Sequence, residues 1–143
     1  MITVRKPSAT LDEGIKVMIE AMIEDYNAFT ANEQMQDKFA NGFDIRKGRK
    51  YIKVIHDHSV WAFIVKDDPF PMLVTKKDDS GYFRCGDILK PAGWSAPARN
   101  KARGNVLDGG YRVQWTGPLY LFPHDRQHNK ELMANYIKLN YGG

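Results

Sequence analysis

Arg99, Asn100, Lys101, Arg103 and Asn105 crowd five hydrogen-bond donors into seven residues, and Trp94 lies five positions upstream of the first. Guanidinium, ammonium and amide groups at this density suit phosphate oxygens, and an indole nearby offers a plane on which a base can stack. That pairing underlies sequence-tolerant binding of nucleic acid. The donors belong to Gly86–Val106, GDILKPAGWSAPARNKARGNV, in which Pro91 and Pro97 forbid long regular structure and Gly93 and Gly104 permit tight turns. Lys90 precedes them, and a second basic group, Arg46, Lys47, Arg49 and Lys50 with Lys53 beyond, carries no acid. The competing explanation is structural: Trp94 anchors a long loop and the cations form its solvated rim. Convergence of the two basic groups on one face would favour binding.

Other constellations are thinner. His56 and His58 share a face if they lie on one strand, and His124 and His128 share a face if they lie on one helix. Four imidazoles brought together could hold zinc or nickel, with Asp57 or Asp125 orienting them. Without a fold that joins the pairs, they flank a turn and a helix start, and no metal is assigned. Cys85 with His124 or His128 as base can be drawn as a nucleophile, but a chain with one cysteine and four histidines always permits that drawing. No catalytic residue is assigned. Lys47–Lys50, KGRK, lacks the spaced glycines and the Ser or Thr of a phosphate loop, and neither a dinucleotide fingerprint nor a zinc-knuckle cysteine pair is present.

At 143 residues, with 43% hydrophobic and 27% charged residues, the chain has the size and composition of one globular domain, residues 1–143. The lone Cys85 forms no internal disulfide and suits a reducing compartment. No apolar run reaches the roughly 18–20 residues of a membrane span, and Met1–Pro7 lacks the apolar core of a signal peptide, so a soluble, untargeted protein without a membrane partner is expected. A net charge of +4 permits a polyanionic partner. Its distribution is uneven: Leu11–Ala40 holds seven acids and two bases, whereas Arg46–Lys53 holds five bases and no acid.

Ser8 or Thr10 can cap a helix whose apolar residues recur at Ile15, Met18, Ile19, Met22 and Tyr26, which predicts a helix over Leu11–Phe29. A polar connection follows. Lys50–His56 reads as a strand and Val60–Val65 as a second strand buried on both faces, joined by an Asp57-His58-Ser59 turn; Met72–Thr75 and Tyr82–Arg84 follow as short strands. Asp108-Gly109-Gly110 predicts a hairpin between Asn105–Leu107 and Tyr111–Trp115. Leu119–Phe122 and a last helix, opened by Pro123 and faced by Leu132, Met133, Tyr136, Ile137 and Leu139, complete the chain. The expected fold is α+β: an N-terminal helix, a curved antiparallel sheet of about five or six strands, and a C-terminal helix.

Gly86–Val106, preceded by SVWAFIVK and followed by YRVQWTGPLYL, resembles small proteins of tailed bacteriophages carrying GD, a hydrophobic pair and K, then Trp-x-Ala-Pro-Ala and Arg-Gly-Asn. The matching positions are Lys90, Trp94, Pro97, Arg99, Arg103, Gly104 and Asn105, and the resemblance spans roughly Lys50–Leu121. The stretch DDPFPMLVTKKDDSGYFRC departs from it. The resemblance implies phage origin, in host cytoplasm or virion, and no particular activity. The expected function is a non-enzymatic binder of nucleic acid or another phosphate-bearing ligand, without a cofactor, using Lys90, Trp94, Arg99, Asn100, Lys101, Arg103 and Asn105 with Arg46, Lys47, Arg49 and Lys50. The alternative is a virion-associated or host-factor-binding protein acting through protein contacts.

Overall fold

A computed structural model describes residues 1–66, 70–71, 82–98 and 102–119 of the chain. In chain order it contains β1 (Ile2–Val4), α1 (Leu11–Phe29), α2 (Glu33–Asn41), β2 (Phe43–Lys47), β3 (Tyr51–His56), β4 (Ser59–Val65), β5 (Phe70–Pro71), β6 (Tyr82–Phe83), β7 (Ile88–Leu89), β8 (Tyr111–Gln114) and β9 (Gly117–Pro118). The fold is α+β.

α1 forms where its periodicity places it. The Thr10 hydroxyl accepts the Glu13 amide at 3.2 Å, and the Glu13 carboxylate accepts the Ala9 amide at 3.3 Å, so one amide of the first turn and the one just before the cap are satisfied. Ile15, Met18, Ala21, Met22 and Tyr26 form its buried stripe. Glu33–Asn41, expected as a polar connection, is instead the helix α2. Asn32 caps it by accepting the Met35 amide at 3.0 Å, and Phe39 is its one buried residue.

β2, β3, β4 and β7 make an antiparallel sheet in that order, and β1, β8 and β9 make a second. β3 and β4 are joined by a two-residue turn with positive φ at both Asp57 (46°) and His58 (69°), the backbone of a type I′ hairpin. Strand alternation gives the larger sheet two apolar faces. Ile52, Val54, Ala62, Ile64 and Ile88 pack on Ile15, Met18 and Met22 of α1, together with Tyr111 and Val113 of the smaller sheet. Phe63, Val65, Leu89 and Phe83 form a second core on the opposite side, flanked by Tyr51, Val60 and Ala102.

Several expectations on topology are corrected. The described residues carry nine strands in three sheets rather than five or six in one curved sheet. The hairpin at Asp108-Gly109-Gly110 does not form: β8 pairs with β1, as in Val4↔Tyr111, and turns back through Trp115-Thr116 to β9. Gly109 and Gly110, with φ of 74° and 72°, swing the chain past β1, where the Gly110 amide donates to the Val4 carbonyl at 2.6 Å. The expected strand at Met72–Thr75 and the expected C-terminal helix lie outside the described residues.

Candidate nucleic-acid interface

The geometry of the basic run follows from the pleat. β2 pairs with β3 so that Arg46 lies opposite Lys53 and Lys47 opposite Ile52. Ile52 points to α1, and so does Lys47, whose ammonium meets the Asp12 carboxylate at 3.0 Å. Arg46 and Lys53 take the other face. There the Lys53 Nζ stands 4.4 Å from the Trp94 ring centroid and 5.7 Å from that of Phe63, while the Arg46 guanidinium carbon lies 5.6 Å from Trp94. Arg46 also contacts the Asp44 carboxylate at 3.2 Å. Arg49 and Lys50 are exposed in the β2–β3 turn. Two cations of the Arg46–Lys53 run therefore meet the tryptophan of the Gly86–Val106 segment.

Trp94 is held at the tip of a short, tied loop. The Ala98 amide donates to the Lys90 carbonyl at 2.7 Å, Pro91 and Pro97 form an antiparallel bridge, and the amides of Ala92 and Gly93 converge on the Ala96 carbonyl at 3.0 and 3.2 Å. The indole remains 45% exposed, a large value for tryptophan. Beside it runs an open groove of about 290 Å³ lined by Ser59, Val60, Pro91, Ala92, Gly93 and Trp94.

The feet of this excursion are laced together below the loop. The amides of Ile88, Arg103 and Val106 donate to the carbonyls of Gly104, Ile88 and Gly86 at 2.9, 2.7 and 2.9 Å. Asn105 uses its whole hydrogen-bonding capacity here: its amide donates to the Cys85 carbonyl and to Asp87 at 2.9 and 3.0 Å, and its oxygen accepts the amides of Leu107 and Asp108 at 2.8 and 3.1 Å. Asp87 is buried and also accepts the Arg84 amide at 2.8 Å. Burial pushes its carboxyl up to about 6, against the lowering effect of those hydrogen bonds and of the Arg84 charge. The GD and Arg-Gly-Asn segments thus form one buried node.

The expected donor set is corrected accordingly. Arg103, 2% exposed, and Asn105, 5% exposed, belong to the interior and not to a solvent-facing donor set. Arg99, Asn100 and Lys101 lie outside the described residues, and Lys90 is half-buried at the foot of the loop. Lys53 is the residue whose place at Trp94 was missed, although its alternation with Ile52 and Val54 put it on the face opposite α1. Asp87 gave no comparable signal.

The histidine pair separates as well. His56 is buried, its Nε2 2.9 Å from the Phe39 carbonyl and its ring stacked on Trp61 at 4.5 Å, while His58 sits in the left-handed turn. The two do not share a strand face. His124 and His128 lie outside the described residues. Among the described residues no cluster of three His, Cys, Asp or Glu side chains is placed to hold a metal ion.

No family model, curated protein or solved structure matches the chain. No described helix is long and apolar enough to cross a membrane.

Proposed function

We propose that the protein binds nucleic acid, or another phosphate-bearing ligand, without catalysing a reaction, and that the ligand lies on the Trp94, Lys53 and Arg46 face. The observation that carries this is the half-exposed Trp94 ring with one ammonium at 4.4 Å and one guanidinium carbon at 5.6 Å. An aromatic plane beside cations is the minimal equipment for stacking a base while holding its phosphate. Arg49 and Lys50 are exposed in the turn that joins the two strands carrying these cations. The phage resemblance of the loop concerns origin and adds no activity to this reading.

Fluorescence anisotropy with short labelled oligonucleotides at two salt concentrations tests it. Binding is expected to weaken with salt, and R46A with K53A to lower the log–log salt slope by about 1 per cation. Trp94→Ala is expected to weaken binding by roughly 5- to 150-fold, the equivalent of about 1–3 kcal/mol of stacking. Absence of binding at low salt overturns the proposal.

A further inference from the structure

We infer that the occupant of this face is single-stranded nucleic acid, held by one unpaired base on Trp94 and one phosphate between Lys53 and Arg46; this rests on the binding reading above. Arg46 and Lys53 are directly opposite each other across β2 and β3. Side chains at such positions start from Cβ atoms about 5 Å apart, and like charges there oppose one another. The arrangement therefore carries a local repulsion, only partly offset by Asp44 at 3.2 Å from Arg46 and by the Trp94 ring. A phosphate between the two cations removes it. Cations this close converge on one phosphate rather than spreading along a duplex backbone.

The aromatic component decides between strand forms. Bases in a duplex are stacked on each other and expose only their edges in the grooves, so a half-exposed indole gains nothing from them without base extrusion. An unpaired base can lie on the ring at once. The ring is preorganised for this, because the Lys90 to Ala98 loop closes on itself through the Ala98 to Lys90 hydrogen bond of 2.7 Å and the Pro91 to Pro97 bridge. The adjoining open groove of about 290 Å³, lined by Ser59, Val60, Pro91, Ala92, Gly93 and Trp94, leaves room for a flat heterocycle beside the ring.

Four labelled probes separate the possibilities: a ten-nucleotide single strand, the same sequence as duplex, an abasic single strand of equal length, and inorganic polyphosphate. The full chain is expected to bind the single strand at least tenfold more tightly than the duplex or the abasic strand. W94A is expected to reduce single-strand binding to the abasic level and W94F to restore most of it, while circular dichroism of both variants matches the parent. Equal or tighter binding of the duplex overturns the inference and leaves the nucleic-acid reading intact. Equal binding of the abasic strand overturns the stacking role, and a preference for polyphosphate moves the ligand class away from nucleic acid. No binding to any probe at low salt overturns both this inference and the proposal beneath it.

Discussion

Asp87 shows how one side chain ties the loop to the sheet and what that costs. Its carboxylate takes the amides of Arg84 and Asn105 in a buried site, yet desolvation outweighs them and raises its pKa from 3.8 to about 6. Because the folded value exceeds the unfolded one, the protein is most stable with Asp87 protonated. Stability is complete below about pH 4 and declines as pH rises through 6, by on the order of 3 kcal/mol from this group. Denaturant unfolding from pH 4 to 7 should show the parent losing stability across that window relative to Asp87→Asn, which cannot ionise; a constant difference between the two would mean that Asp87 does not titrate there. None of this was legible in the sequence. An Asp after a Gly reads as turn chemistry, and Arg103 and Asn105 read as surface donors, because charged and amide side chains are seldom buried unless partners far along the chain meet them. Trp94 could be read as a stacking plane or as an anchor of the loop, and its 45% exposure is settled only by the fold.

α1 and α2 illustrate what makes an element readable. α1 carries an apolar stripe, a Thr10 cap and first-turn acids that all agree, so its bounds matched Leu11–Phe29. α2 buries only Phe39, and β1 has three residues, so neither presents enough periodicity to be seen. The apparent flaw in α1 is instructive. Gly14 lowers helix propensity, and alanine there should add about 1 kcal/mol on that ground alone. A Cβ at Gly14, however, would stand 2.6 Å from the Val106 carbonyl oxygen and 2.9 Å from the Val106 Cβ, so the glycine lets the helix touch the backbone that follows the Asn105 node. Gly14→Ala is therefore expected to destabilise the fold by about 1–3 kcal/mol, the usual range for overpacking, as measured by the denaturation midpoint. A gain in stability would show that helix and node are not in that contact. The same reasoning applies more severely to Gly104, whose φ is +152° and whose added Cβ would meet the Tyr111 Cβ at 2.4 Å.

At the scale of the whole molecule, the acidic helix α1 and the cations Arg46 and Lys53 take opposite sides of the larger sheet. The acidic exposed residues of α1, Glu20 and Glu24 among them, lie on one side of the larger sheet, and Trp94 with Lys53 and Arg46 lies on the other. Lys47 crosses over, neutralised by Asp12 at 3.0 Å, while Arg46 and Lys53 stay on the Trp94 side. Between the two surfaces stand the sheet, its core and a helix about 10 Å across, which exceeds the Debye length of about 8 Å at 0.15 M salt. The acids of α1 should therefore repel a polyanion only when screening is weak. Glu20→Gln with Glu24→Gln is expected to leave oligonucleotide affinity within about twofold at 0.15 M salt, where the Debye length is short, and to tighten it severalfold near 0.01 M, where that length is about 30 Å. Both titrations can be made by anisotropy beside R46A with K53A, whose loss is expected to persist at 0.15 M under the proposed direct contact of these cations with the ligand. If the glutamine pair changed affinity at 0.15 M as strongly as the cation pair, the ligand would be reaching the helical side, and the division of the surface into an acidic back and a basic, aromatic front would have to be abandoned.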